Sequence, residues 1–268
     1  MGAGGEDARA FEKVDNILGR SWSPDGRFIA YSDVQKDGSE RDIYKLDVET
    51  GTVENLTADY GGWDAWPSWS PTGEWIAFTS DRSADGKALD DIWIMKADGS
   101  GLRNLTDNGY DWEDSHPAWS PDGRQIAFFR MGSLFSDEST AGWPPGLWLM
   151  DADGGNPAVL YEMTDLFGGI GQPSWSPDGR YIAIVLPETG MENSDVWVVS
   201  VGGGEAVNVS DQPGSDFGVS WAPDSSALIF TNDNDEADTL EIYIALPDGS
   251  DTHLLLEGRN GYADWSPR

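Results

Sequence analysis

Hydrophobic residues along this chain come in short runs bounded by Gly, Pro, Asp and Ser, and the runs recur in a fixed order. One set reads Ile29-Ala30-Tyr31, Ile76-Ala77-Phe78, Ile126-Ala127-Phe128, Ile182-Ala183-Ile184 and Leu228-Ile229-Phe230. A second reads DIYKL from 42, DIWIM from 91, GLWLM from 146, DVWVV from 195 and EIYIA from 241. After a Gly-containing turn comes a third: VENLT, LRNLT, AVLYE, AVNVS and HLLLE. Runs this short, rich in β-branched and aromatic residues, predict strands. No segment has the apolar spacing and caps of a helix.

Each first run is preceded by a phrase of the type SWSPDG. Its tryptophans are Trp22, Trp69, Trp119, Trp175, Trp221 and Trp265, spaced by 47, 50, 56, 46 and 44 residues. With the strand that carries the Trp, every period holds four short strands, which predicts one blade of a β-propeller per period. The expected fold is therefore all-β, one domain over 1–268, with four-stranded antiparallel blades at about 17–57, 64–106, 114–162, 170–210 and 216–257. Pieces of a sixth blade are expected at 2–13 and 260–268. A six-bladed plan is favoured; a closed five-bladed ring is the alternative.

The repeated phrase has a physical task. Pro presets φ at the second position of a tight turn, Asp bonds the backbone beyond it, and Gly takes the positive φ that ends it. The Trp supplies a broad apolar face between blades. In the fifth copy Ser225 stands at the Gly position, so strain or a different turn is expected there.

The pattern P-x-W-S-P-D-G-x-x-I-A-F, a loop, D-I-Y/W, an A-D-G turn and x-L-T resembles the TolB-type β-propeller repeat over essentially the whole chain. The resemblance implies the propeller fold and a periplasmic or secreted location. It also implies two settings for such a domain, an envelope component and the propeller that gates prolyl-oligopeptidase-type peptidases. No partner-binding residue carries over from either.

Acids outnumber bases 48 to 16, for a formal charge of −32. Such a field repels phosphate backbones, so nucleic acid is excluded as a partner, and it draws cations or basic surfaces. There is no cysteine, which removes thiolate chemistry and disulfides. No run reaches the roughly 18 apolar residues of a membrane span, and MGAGGEDARA lacks the apolar centre of a signal peptide, as a truncated N-terminus would explain.

Function is sought in residues that the blade does not need. Trp63, Trp66 and Trp112 lie between blades and Trp143 lies in the long loop of the third repeat. All four are expected on one rim, since these two loop types open on the same face. Counting back three from each repeated Trp gives Gly19, Trp66, His116, Gln172, Gly218 and Tyr262. Counting back five gives Ile17, Asp64, Asp114, Ile170, Asp216 and Asn260. Alternate residues of a strand share a face, so these predict a funnel at the channel mouth. Aromatic faces would stack on a sugar ring or organic cation while carboxylates and amides orient it. The alternative is that the aromatics close loops and the carboxylates cap turns.

The ligand-binding candidates are thus Trp63, Asp64, Trp66, Trp112, Asp114, His116, Trp143, Gln172, Asp216 and Tyr262. The reading is a non-catalytic propeller that binds a protein or glycan and needs no cofactor. The alternatives are a glycan lyase or hydrolase and a peptidase's gating propeller. Catalysis could draw only on His116 and Asp114, short of a hydrolase or zinc signature. Asp233 and Asp235 resemble part of a calcium loop, without its Gly at the sixth position. The glycosylation-type triplets at Asn55, Asn104 and Asn208 are better explained as the repeated fourth strand.

Overall fold

In the computed structural model, residues 18–34, 38, 40–82, 89–107, 112–132, 144–163, 171–187, 193–234 and 239–258 are described. The apolar runs become the strands of five four-stranded antiparallel blades. Blade one holds β1 (Leu18–Trp22), β2 (Phe28–Val34), β3 (Arg41–Asp47) and β4 (Val53–Asn55). Blade two holds β5 (Asp64–Trp69), β6 (Trp75–Ser80), β7 (Asp91–Lys96) and β8 (Arg103–Asn104). Blade three holds β9 (Trp112–Trp119), β10 (Gln125–Gly132), β11 (Gly146–Asp151) and β12 (Ala158–Glu162). Blade four holds β13 (Ser174–Trp175), β14 (Tyr181–Pro187), β15 (Ser194–Ser200) and β16 (Val207–Asn208). Blade five holds β17 (Ser215–Trp221), β18 (Leu228–Asn234), β19 (Thr239–Ala245) and β20 (Thr252–Gly258). Each runs in sequence order across its sheet, and a parallel bridge between Ser194 and Ser215 joins blades four and five. The pieces expected at 2–13 and 260–268 lie outside the described residues.

Both faces of the middle strands are apolar because each blade is covered on both sides. Along β10, Ile126 and Phe128 pack towards blade two while Ala127 and Phe129 pack towards blade four. Likewise Ile182 and Ile184 of β14 face blade three, and Ala183 and Val185 face blade five. Four such cores join blades one to five in succession. The repeated Trp fills each gap: Trp69 is 7% exposed and Trp221 6%, and the Trp175 and Trp221 indoles donate to the Ala118 and Ser174 carbonyls of the preceding blade. Trp22, with no described blade before it, is 49% exposed. Among the described residues no core joins blade five to blade one.

The Ser-Pro-Asp-Gly hairpin repeats atom by atom. Ser23 Oγ donates to Asp25 Oδ1 at 2.6 Å and accepts from Phe28 N at 2.8 Å, while Arg27 N donates to Asp25. The same bonds recur at Ser120 and Asp122 and at Ser176 and Asp178. Ser225 keeps this turn rather than adopting another. It sits at φ 62°, and its hydroxyl accepts from Asp178 N of blade four at 3.0 Å, a contact Gly cannot make.

A clasp between the third and fourth strands explains the Asp-Ile and Asn-Leu-Thr words. Asn55, Asn104 and Asn208 each donate Nδ2 to Asp42, Asp91 and Asp195 at 2.8 Å. The same Asn accepts from the backbone of Thr57, Thr106 or Ser210, whose hydroxyl in turn accepts from Ile43, Ile92 or Val196 N. The amide nitrogens of the three glycosylation-type triplets are therefore spent inside the blade. Blade three lacks the clasp: a Cβ on Gly146, which holds the Asp position, would lie 2.1 Å from the Tyr161 carbonyl oxygen.

Asn104→Ala removes one of the two side-chain donors to the Asp91 carboxylate and leaves the Thr106 N–H without its acceptor, which should cost about 1–3 kcal/mol in urea unfolding. Leu102→Ala, at an exposed position just before the same strand, should be neutral. An unchanged midpoint for Asn104→Ala would show that the clasp contributes nothing.

Candidate functional site

The innermost strand of blades one, two, three and five carries a bulge, and the bulge aims one residue away from the sheet. In β5, Ala65 and Ser68 pair with Thr79 and Ala77, so three steps on one strand oppose two on the other. The same slip occurs between Ser115 and Ala118 and between Phe217 and Ser220. The extra residue is left-handed each time: Gly19 at φ 69°, Trp66 at 55°, His116 at 58° and Gly218 at 67°. Glycine takes this conformation freely. A Trp or His does so at a cost of roughly 1–3 kcal/mol, and non-glycine outliers of this kind concentrate at functional sites.

The bulges bring distant blades together. A Cβ on Gly19 would lie 2.8 Å from Trp66 Cα and 3.5 Å from Gln172 Oε1, so only glycine lets those residues approach. Gln172 Nε2 donates to the Trp66 and Pro117 carbonyls at 3.0 and 2.9 Å and to Pro67 O at 3.3 Å, tying blade four to blades two and three. Its amide is thus occupied in positioning neighbours. The Trp66 and His116 rings lie 4.2 Å apart at 34°, with Phe129 edge-on behind His116. His116 N donates to Thr79 Oγ1 at 2.9 Å, and its Nδ1 is 2.8 Å from Ser115 Oγ. Burial lowers its pKa to about 3, so the ring is neutral at ordinary pH. It is a stacking partner, not a poised base.

The three funnel carboxylates do not lie open at the mouth. Asp64, Asp114 and Asp216 are all fully buried. Arg130 grips Asp114 with Nε and Nη2 at 2.7 and 2.6 Å, Arg82 pairs with Asp64, and Asn232 Nδ2 donates to Asp216 at 2.8 Å. A carboxylate this deep in a blade needs a partner, and the second strand supplies one. Asp114 is therefore committed to Arg130 and gives His116 no acid–base companion.

The arginines are what sequence reasoning missed. Arg41 and Arg130 are buried among aromatic faces: Arg41 lies 4.6 Å from the Trp63 ring and Arg130 4.8 Å from Trp148. Arg82, nearly as deep, lies 4.5 Å from Tyr60. The available signal was scarcity: in a chain so poor in bases, an arginine ending a second strand marks a buried acid. Trp63 covers Arg41 while staying 40% exposed, and Trp112 is half-buried. Trp143 and Tyr262 lie outside the described residues. Asp233 lies in β18, paired with Ser215 and Leu240 of the flanking strands, Asp235 lies outside the described residues, and among those described no three His, Asp or Glu side chains converge to hold a metal.

A family profile described as the TolB beta propeller domain matches residues 14–137. The chain is 38% identical over 172 residues to an uncharacterized protein of Agrobacterium fabrum, spanning 61% of this chain and 53% of that one. It is 35% identical over 97 residues to the Tol-Pal system protein TolB of Francisella tularensis, spanning 36% of this chain and 21% of TolB. It thus covers about half of the first relative and about a fifth of the second. In fold it superposes on TolB from Acinetobacter baumannii with a TM-score of 0.66 at 24% identity, covering 95% of this chain and 58% of that one. An oligogalacturonate lyase from Vibrio parahaemolyticus gives a TM-score of 0.63 at 18% identity, covering 91% and 68%.

The titrating carboxylates divide into two groups with opposite effects. Burial raises Asp64 and Asp91 to about 6 and Asp90 to about 7, the last also opposed by Glu113 and Asp81. Serine hydroxyls lower the turn residues Asp25, Asp98, Asp122, Asp224 and Asp248 below their ordinary value. A raised acid binds its proton more tightly when folded, so stability falls as pH rises through the window from about 4 to 7; a lowered acid loses its contribution below about 4. The thermal midpoint should therefore rise from about pH 8 to about pH 5 and fall again below about pH 4. Asp90→Asn should flatten the upper limb. A midpoint that is flat or climbs between about pH 5 and 8 would refute this assignment.

Proposed function

The chain belongs to the TolB-type β-propeller family, and from that premise we propose that it is a non-catalytic binding module that takes a protein ligand at its channel mouth. The observation that carries this is the left-handed Trp66 and His116, stacked on each other where two other blades place glycine. The bulge and its bonds to Thr79 and Gln172 hold a rigid, half-buried aromatic surface. Trp63, at the entry to the innermost strand of blade two, and Trp112, which opens that of blade three, are the further aromatic candidates for contact with the ligand. Rigid aromatic anchors of this kind dominate protein interfaces because they offer a large contact area at little conformational cost. A periplasmic or secreted location belongs to the same proposal and rests on the family.

A glycan is the second reading, favoured by the flat Trp66 face and by the fold likeness to an oligogalacturonate lyase. The charge of −32 argues against an acidic glycan, so a neutral one is the member of this class to test. Catalysis is not proposed, since His116 is neutral and Asp114 is held by Arg130.

Selection from a displayed peptide library, set beside a panel of neutral and acidic oligosaccharides, tests both readings. Selected peptides should lose at least about tenfold in affinity with Trp66→Ala or Trp63→Ala, at unchanged thermal midpoint. Peptide binding indifferent to both substitutions would remove the protein reading, and binding by a neutral oligosaccharide alone would replace it with the glycan one.

A further inference from the structure

At the hairpin end of the blades a cavity lies between blades two and three, beside the Ser-Pro turns. Its volume is about 290 Å³. Ile94 forms the buried floor, Trp75 and Trp119 the walls, and Glu74, Arg103 and Ala152 the mouth. Repeat symmetry shows what this space is shaped for, because the equivalent gap between blades one and two is already filled.

There the filler is Lys45. It pairs with Ala30 of β2 and Glu54 of β4, the register that Ile94 holds with Ala77 and Arg103. Its ammonium crosses the gap to donate to the Ala97 carbonyl at 2.8 Å, meets Glu54 at 2.8 Å and lies 5.7 Å from the Phe28 ring. Ala152 occupies the place of Ala97: each donates its N–H to the carbonyl that opens the second strand of its own blade, Glu74 or Arg124. Trp75 stands in for Phe28 and offers the stronger cation-attracting face. The floor is merely shorter, since Ile94 has no ammonium to send across.

The charges at the mouth are exchanged rather than lost. Glu74 replaces Arg27, and Arg103 replaces Glu54. Arg103 Nη1 donates across the gap to the Asp153 carbonyl at 3.2 Å, which commits part of its guanidinium to blade three. A carbonyl, an aromatic face and a carboxylate therefore border a slot that in the neighbouring gap holds an alkylammonium. We propose that this pocket binds a primary alkylammonium group, as a free amine or as a lysine side chain offered by a partner. It lies away from Trp66 and does not depend on the protein-binding reading.

The test is a titration of the folded protein followed by its indole N–H resonances, with Trp75→Phe and Trp119→Phe identifying the two signals. The probes are n-butylamine, the capped peptide Ala-Lys-Ala, n-butanol and butanoate. The amine or the peptide should shift both resonances and the alcohol should not; a tighter peptide assigns a lysine side chain as the source, a tighter amine a free ligand. Glu74→Gln should weaken binding about tenfold, and Arg103→Glu, which restores the acid of the neighbouring gap, should strengthen it by a similar factor. Ile94→Lys with Arg103→Glu copies the Lys45–Glu54 pair and should abolish it. Shifts produced by butanoate instead of the amine, or amine shifts unaffected by Glu74→Gln and by the double substitution, would overturn the proposal.

Discussion

A four-stranded blade whose middle strands are apolar on both faces cannot bury itself, and every other feature of this molecule follows from that need. The alternation of Ile126 and Phe128 with Ala127 and Phe129 sends equal apolar surface to two neighbours. Each blade is thereby stable only as one of a row. The repeated Trp is the wedge that fits the splay between adjacent sheets, and its indole nitrogen in blades four and five reaches the preceding blade's carbonyl. Where no described blade precedes it, as at Trp22, the same side chain is left half in solvent.

Packing the sheets radially brings the inner strands together at one axis, and there the requirements change. Backbone from several blades converges, so the bulge either withdraws its side chain, as Gly19 and Gly218 do, or commits that side chain to the axis. Trp66 and His116 take the second course. The pair is possible because Gly19 gives way beside it and because Gln172 satisfies carbonyls of both adjoining strands. Binding capacity at the mouth is in this sense a local exception to the blade rule, stabilised by the blades that keep to it.

Sequence patterning made the blades legible, because a period-two run, a tight turn and a wedge Trp each leave a fixed residue signature. The clasp was visible only as a recurring phrase; its meaning needed the Asn-to-Asp bond across strands. At the site, counting positions back from each Trp grouped Gly19, Trp66, His116, Gln172 and Gly218, but nothing in a Trp or His announces a positive φ. The carboxylates misled for a related reason. Asp64 and Asp114 look like ligands until Arg82 and Arg130 are seen beside them, and those partners stand 18 and 16 residues further along, on or just past the second strand, where only the strand pairing brings them back.

Part of the acidic composition belongs to the architecture. Three hairpins use an Asp to collect the Ser hydroxyl and the following N–H, and three clasps use another against a neutral Asn. The clasp brings no base with it, whereas an arginine, Arg27, Arg124 or Arg180, directly follows each of these hairpins. The net charge of −32 acts on whatever approaches: it raises the cost of phosphate- or uronate-bearing ligands before any of them reaches Trp66, and lowers it for amines and basic surfaces.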